Sequence, residues 1–252
     1  MSVYESLAVS YDRLTNDVPY QKILDFAQSL LRERGVQPRS VLDLACGTGA
    51  LSVLLAQSGY RVIGVDMSEE MLTVAYDKAM ELPDNRPFFV RQRMERLRLP
   101  ETVDFALCCL DSINYLTEPA HCRETFRRVY GSLNPGGAFL FDVNTPEKLR
   151  AMDGQVFLDE DRDVYCVWRG AFDEEERICY YGMDLFQRQG KLWSRSQEEH
   201  REYAYALSEL RAYLAEAGFR DVTLYGDLRH EAPAEGEQRV YFLAVKGSEI
   251  NE

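Results

Sequence analysis

Long apolar runs are absent from this 252-residue sequence, and histidine is scarce. No stretch approaches the roughly 20 apolar residues that a membrane-spanning helix requires, so we expect no membrane partner. The opening MSVYESLAVSYDRL has neither a basic flank nor a continuous apolar segment, which favours a cytoplasmic protein without a leader. The three histidines, His121, His200 and His230, are too scattered to indicate a metal cluster, and no metal site is predicted.

Cysteine spacings typical of metal sites are also missing. The six cysteines form no paired ligand pattern, and most lie in apolar runs of strand character. A free thiol in such a run behaves as a small hydrophobic side chain. We therefore expect reduced cysteines in the core.

Positive charge is in the minority. The sequence has 29 basic and 42 acidic side chains, and the resulting net charge of -13 repels the phosphates of nucleic acids at long range. One basic run, Arg91, Arg93, Arg96 and Arg98, departs from this average, but such arginines more often solvate a strand edge and loop. A nucleic-acid partner is therefore disfavoured.

Segments of strand and helix character alternate along most of the chain. The apolar runs SVLDLA, YRVIGVD, PFFVRQ, VDFALCCL and GAFLFDV are typical of strands buried on both faces, with helices predicted from Tyr20 to Arg34 and from about Ala120 to Leu133. After a further helix over Leu207 to Ala217, DVTLYGD and RVYFLAVKG complete the strands. This alternation predicts an α/β fold with a Rossmann-like, doubly wound, seven-stranded and mostly parallel sheet.

A different pattern occupies about Thr145 to Tyr205. The segments VYCVWRGAF, RICYYGMDLFQR and KLWSRSQEEHREY alternate with period two and predict an antiparallel β meander, whose acidic connections DEDRD and DEEER we interpret as solvated turns. The predicted organisation is a core formed by 1–144 and 206–252, with an N-terminal helical segment. The inserted sheet, 145–205, is predicted to cover the substrate site.

A glycine-bearing turn follows the first predicted strand, in VLDLACGTGALS. Gly47 and Gly49 permit positive φ and a close ligand approach, although tight turns also need glycine for steric reasons alone. Ser52 stands where a dinucleotide-binding turn has its third glycine. Asp43, beside the glycines, suits a ligand with an ammonium group, which a dinucleotide lacks. Asp66 ends the second strand, where a carboxylate can accept hydrogen bonds from both ribose hydroxyls of an adenosine.

The segments VLDLACGTG and VIGVDMSEEML resemble the first two motifs of class I S-adenosylmethionine-dependent methyltransferases. The resemblance covers about Ser40 to Asn144 and again Leu207 to Gly247. YDRL, CLDSINYL, FDVNTPEKL and EEHREY are similar to small YqeM-type bacterial methyltransferases, which look related to small-molecule N- and O-methyltransferases. The resemblance implies S-adenosyl-L-methionine as cofactor and a small-molecule methyl acceptor.

The resemblance also implies roles for individual residues. Gly47 and Gly49 would contact the methionine moiety, Asp43 its ammonium group and Asp66 the ribose. The other implied contacts are Ala45 in the turn, Met67 and Met71 beside the adenine, and Leu110, with Asp111, beneath the sulfonium.

Two cofactor contacts depart from the family pattern or lie outside its motifs. Relatives usually carry an aspartate for the adenine amino group where this chain has Arg93, so Met94 and Glu95 are the predicted adenine contacts, through backbone groups or a shifted carboxylate. Tyr11 is predicted either to cover the sulfonium with its ring face or to lie in the core.

Methyl transfer requires an aligned nucleophile, and an amine or hydroxyl acceptor must also lose a proton. Asp111, His200 and Tyr203 are the candidate catalytic bases, and Asp111 comes first because it follows the fourth strand at the ligand-binding edge of the sheet. The alternatives are a turn cap for Asp111 and a solvated surface position for His200.

The candidate substrate-binding residues are Asn114, Tyr115 and Arg201, and strand alternation predicts that Arg201 and Tyr203 share one face. Two other functions stay open at this stage. One is a nucleotide-dependent oxidoreductase of Rossmann fold, and the other is a regulatory module that binds the donor without turnover. The oligomeric state is expected to be monomer or homodimer.

Overall fold

The computed structural model describes residues 18–248, in which helices and strands alternate before and after a run of four strands. In chain order the elements are α1 (Tyr20–Glu33), β1 (Ser40–Leu44), α2 (Ala50–Gln57), β2 (Arg61–Asp66), α3 (Glu69–Met80), β3 (Phe88–Arg91), a 3-10 helix (Met94–Arg96), β4 (Val103–Cys108), α4 (Pro119–Ser132), β5 (Leu133–Asn144), α5 (Pro146–Ala151), β6 (Val156–Asp161), β7 (Val164–Asp173), β8 (Ile178–Gln189), β9 (Leu192–Tyr203), α6 (Leu207–Ala217), β10 (Asp221–Tyr225) and β11 (Arg239–Val245).

The large sheet has seven strands in the order β10-β11-β5-β4-β1-β2-β3. Its strands pair in parallel except for β11, which is antiparallel to both β5 and β10. The predicted doubly wound, mostly parallel sheet is confirmed. The strand order reverses between β1 and β4, and the crevice at such a reversal is where open α/β sheets bind ligands.

Helices cover both faces of this sheet because alternate side chains of its strands are apolar on both sides. In β5, Phe139 and Phe141 pack in one cluster with apolar residues of α4 and α6. Leu140 points the other way and packs with residues of α1 and α2. The site therefore lies at the end of a sheet that is held between two apolar layers.

The insertion forms a second sheet, with the antiparallel order β6-β7-β8-β9. The sequence predicted three of these strands and placed the acidic DEDRD in a turn, but Asp159 to Asp161 belong to β6 and only Arg162 and Asp163 form the turn. Every residue of β6 is exposed. An edge strand pairs on only one side and tolerates charged side chains. For this reason the acidic residues of β6 were predicted to form a turn.

Two further observations concern the chain as a whole. All six cysteines are free thiols, and five of them are buried, as the sequence predicted. Among the described helices, none combines the length and the apolar character needed to span a bilayer.

Candidate functional site

A cavity of about 500 Å³ lies at the carboxyl ends of β1, β2 and β4. The predicted cofactor residues that line it are Asp43, Ala45, Gly47, Asp66, Met67, Met71, Met94, Glu95 and Leu110, and the predicted substrate residues that line it are Tyr115 and Arg201. Gly49 is absent from the lining, and Tyr11 lies outside the described residues. One cavity therefore joins residues predicted for the donor with residues predicted for the acceptor.

The two glycines of the turn after β1 have different roles. Both have left-handed backbones, with φ of 54° at Gly47 and 73° at Gly49. Gly47 lines the cavity, and a Cβ there would meet nothing within 4 Å. At Gly49 a Cβ would lie 2.8 Å from the Cβ of Ala75 in α3. Gly47 thus leaves backbone open to a ligand, whereas Gly49 allows the start of α2 to pack against α3.

Asp43 presents a buried carboxylate to the cavity. Its side chain is 3% exposed, and Oδ2 accepts a hydrogen bond of 2.5 Å from the Ser52 hydroxyl. Burial raises the pKa of Asp43 to about 7, with a smaller contribution from the nearby Asp66 carboxylate and an opposing one from Ser52. Such a group gains most from a ligand cation, because a cation offsets the loss of hydration. The site therefore fits an ammonium group at this position.

Asp66 connects the turn after β1 with the start of α3. Its Oδ2 accepts from the Gly47 N–H and its Oδ1 from the Ser68 N–H, both at 2.9 Å. Burial raises the pKa of Asp66, and these two backbone donors oppose the rise. The Ser68 hydroxyl caps α3 by accepting from the Met71 N–H at 3.2 Å. Each carboxylate oxygen keeps a second lone pair for a ligand hydroxyl.

The loop after β3 carries an ion pair at the position where the sequence departs from the family. Arg93 donates to the Glu95 carboxylate, which is 8% exposed. Burial alone would raise the pKa of Glu95, but the Arg93 hydrogen bond and charge lower it below the usual value. Glu95 is thus held ionised at the cavity wall, next to Gln92 and Met94, which also line it.

The other end of the cavity is polar and charged. It is lined by Ser112, Tyr115 and Thr117, from the loop after β4, and by Glu199 and Arg201 from β9. Arg201 donates two hydrogen bonds to Glu199 Oε1, at 2.7 and 2.9 Å. This end therefore offers hydroxyls, a carboxylate and a guanidinium to an acceptor.

The predicted base His200 lies on the opposite face of β9 from Glu199 and Arg201, as strand alternation requires. It is 1% exposed, with its ring centroid 6.1 Å from that of Tyr115 and 5.5 Å from that of Trp168. The alternative of a solvated surface histidine is wrong. The burial and ring contacts place His200 behind the cavity wall, where it supports Tyr115.

The other two predicted bases also lie outside the cavity lining. Asp111 Oδ1 accepts a hydrogen bond of 2.6 Å from Arg239, and the Asp111 side chain is 16% exposed. The Tyr203 ring packs 4.6 Å from the Tyr205 ring, under the guanidinium of Arg177. To accept a substrate proton, Asp111 would have to give up its ion pair.

Asn114, predicted as a substrate contact, is fully buried and joins three segments. Its side-chain amide donates to the carbonyls of Asn144 (3.1 Å) and Tyr203 (3.0 Å), and its Oδ1 accepts from the Asn144 N–H at 3.0 Å. The Asn114 carbonyl accepts from the Tyr203 N–H at 2.7 Å. Asn114 therefore ties the ends of β5 and β9 to the loop after β4.

Several residues at or behind the site were missed by sequence reasoning. Those lining the cavity include Tyr20, Cys46, Gln92, Thr117 and Glu199. Only Glu199 had a usable signal, because it is two residues from Arg201 in a period-two strand and must share its face.

The Asp43 carboxylate, which accepts a hydrogen bond from Ser52, makes the predicted ligand affinity dependent on pH. Because the pKa of Asp43 is about 7, its ionised fraction increases as the pH rises through neutrality, and a ligand ammonium group prefers the ionised form. We therefore expect the affinity for S-adenosylhomocysteine to increase about tenfold between pH 6 and pH 8. Replacement Ser52→Ala removes a hydrogen bond that lowers this pKa, so the increase should shift to higher pH.

Isothermal titration calorimetry at several pH values checks this expectation. Ser58→Ala is the control, since the Ser58 hydroxyl donates to the Leu54 carbonyl at an exposed position at the other end of the same helix. An identical pH profile for Ser52→Ala and the unaltered protein would contradict the assignment of Asp43 to the ammonium group.

Comparisons with known proteins agree with this geometry. A family model described as a methyltransferase domain matches residues 41–137. A protein of Geobacillus sp. (strain WCH70), named as a methyltransferase, is 36% identical over 247 residues, which cover 96% of this chain and 99% of the relative. YqeM of Bacillus subtilis (strain 168), also named as a methyltransferase, is 31% identical over 98% of this chain and 99% of its own length.

A solved structure extends the match to three dimensions. The crystal structure of an S-adenosylmethionine-dependent methyltransferase from Clostridium acetobutylicum has a TM-score of 0.88 and 29% sequence identity, and the match covers 97% of this chain and 99% of that one. The likeness includes the inserted sheet as well as the core, because almost the whole chain is covered. The chain belongs to the S-adenosylmethionine-dependent methyltransferases, among YqeM-like proteins, and its cofactor is S-adenosylmethionine.

Proposed function

We propose that this methyltransferase transfers a methyl group to a nitrogen or oxygen atom of a small molecule. The observation that carries the proposal is the single cavity that runs from Asp43 and Asp66 to Tyr115, Glu199 and Arg201. Its volume of about 500 Å³ is typical of small-molecule sites, which are enclosed rather than flat. The net charge of -13 adds to the case against a nucleic-acid acceptor.

At one end the residues fit the donor. The buried Asp43 carboxylate suits its ammonium group, Asp66 suits its ribose hydroxyls, and the open backbone at Gly47 admits its methionine moiety. The loop from Gln92 to Glu95 borders the space left for the adenine. The bound donor supplies a methyl group on a sulfonium, which is already activated for displacement.

At the other end, we assign acceptor binding to Tyr115, Glu199 and Arg201. The pair of opposite charges on β9 can orient a polar acceptor, and alignment of the nucleophile supplies much of the rate enhancement of such a displacement. Glu199 lines the cavity, whereas Asp111, His200 and Tyr203 do not. We therefore assign the role of proton acceptor to Glu199 rather than to those three residues.

The insertion, 145–205, is proposed to cover the acceptor site, because β9 supplies Glu199 and Arg201 to the cavity wall. Its sequence and side chains would then set acceptor specificity while the core holds the donor. We further propose that the protein acts in the cytoplasm, where its six free thiols stay reduced, as a monomer or homodimer.

The test measures S-adenosylhomocysteine release from S-adenosylmethionine in the presence of acceptor pools that contain amines, amino acids, phenols or hydroxy acids. Turnover with a pool of small molecules is the expected result. Donor binding without turnover in any pool would favour the regulatory module, and turnover only with RNA or protein would overturn the small-molecule assignment. The oxidoreductase alternative is removed by the family to which the chain belongs.

A further inference from the structure

Two consecutive residues at the end of β4 have an unusual backbone. Leu110 and Asp111 have φ of 60° and 50°, in the left-handed region, and neither is glycine. A branched side chain such as that of leucine rarely adopts this conformation, so surrounding groups must hold it. Leu110 lines the cavity, which places this strained turn in the wall of the site.

A buried carboxylate holds the turn. Asp142, near the end of β5, is fully buried, and its Oδ1 accepts from the Leu110 N–H at 2.7 Å while its Oδ2 accepts from the Asp111 N–H at 3.0 Å. Successive N–H groups in a turn of this kind can converge on one anion and form a concave binding site. The carboxylate therefore stabilises the strained conformation directly.

Arg239, the first residue of β11, completes the arrangement. Its guanidinium donates to Asp142 Oδ2 through one nitrogen and to Asp111 Oδ1, at 2.6 Å, through the other. One cation thus joins the turn after β4 to the ends of β5 and β11. A planar guanidinium can bridge two carboxylates in this way, whereas a lysine ammonium offers no fixed fork.

We propose that Asp142 and Arg239 are positioning residues for the methyl donor. They hold Leu110 at the cavity wall in the conformation that the bound donor requires, without touching the donor themselves. The proposal rests on the proposed position of the donor in this cavity. Neither residue belongs to the glycine turn after β1, and neither is the carboxylate that ends β2.

The chain offers a matched control at the opposite end of the sheet. The Asp104 carboxylate also accepts from two consecutive backbone N–H groups, those of Arg39 at 2.8 Å and Ser40 at 3.0 Å. Asp104→Asn removes the same charge from a carboxylate that holds two amides, but both amides donate to one oxygen, Oδ2, at Asp104 and to separate oxygens at Asp142. Of the two, only Asp142 accepts from a residue that lines the cavity, Leu110.

The experiment compares both variants by calorimetry with S-adenosylhomocysteine and by hydrogen exchange of the ligand-free protein. For Asp142→Asn we expect about a tenfold loss of affinity and faster exchange confined to residues 109–117. For Asp104→Asn we expect affinity within twofold of the unaltered protein. Arg239→Lys should reduce affinity less than Arg239→Gln, because only the former keeps a positive charge near the two carboxylates.

Affinity of Asp142→Asn within twofold of the unaltered protein, or faster exchange spread evenly over the sheet, would overturn the positioning role. If Asp142→Asn fails to fold, the two Arg239 variants carry the test with the same measurements. Failure of the unaltered protein to bind S-adenosylhomocysteine would overturn the proposed function instead. The exchange data, which need no ligand, would still test whether Asp142 and Arg239 hold the turn after β4.

Discussion

Replacement Asp66→Ala is expected to weaken the binding of S-adenosylhomocysteine about a hundredfold, or about 3 kcal/mol. The proposed ribose contact predicts that two charge-assisted hydrogen bonds are lost in the variant. The Gly47 N–H, which donates to Asp66 Oδ2 at 2.9 Å, also loses its acceptor, so the turn beside the methionine moiety becomes less ordered. Both effects act on the donor, which makes this the largest expected change in affinity.

The two contributions can be separated with a modified ligand. The unaltered protein should prefer S-adenosylhomocysteine to its 2′-deoxy analogue, because the proposed contact of Asp66 includes the missing hydroxyl. In Asp66→Ala that preference should disappear, whereas the loss caused by the disordered turn should affect both ligands equally. Calorimetry with the four combinations gives the coupling, and an undiminished preference in the variant would reject the ribose assignment.

Much of the core could be predicted from the sequence because the information is local. Runs such as SVLDLA and RVIGVD carry mostly apolar side chains on both faces, which is typical of a strand covered on both sides by helices. Residues at the carboxyl ends of such strands, or just after them, lie at the ligand-binding edge, which is why Asp43, Asp66 and Leu110 all reach the cavity.

The predicted site residues that lie outside the cavity lining depend on which surfaces meet. Period-two alternation separates His200 from Arg201, but it does not reveal which side of β9 faces the cavity. Arg239 and Asp142 are 97 positions apart in the chain, and only the antiparallel insertion of β11 beside β5 brings them together. No local pattern encodes that contact.

Replacement Gly49→Ala is expected to reduce the free energy of unfolding by about 3 kcal/mol, through two additive causes. The left-handed φ of 73° becomes unfavourable once a Cβ is present. That Cβ would also lie 2.8 Å from the Cβ and 3.2 Å from the Cα of Ala75, and 3.1 Å from the ring of Phe89. Because the Ala75 atoms belong to a helix backbone and a methyl group, no side-chain rotation relieves the overlap.

Denaturant unfolding of a second variant, Gly35→Ala, separates the cost of the left-handed φ from the cost of the steric overlap. Gly35, after α1, has a similar φ of 67°, but a Cβ there would meet nothing within 4 Å. It should therefore show only the conformational cost, about 1 kcal/mol. Equal destabilisation by the two substitutions would contradict the packing role of Gly49. A clear excess at Gly49 would mean that the second glycine of the motif is required by the contact between α2 and α3, and that ligand approach accounts for Gly47 alone.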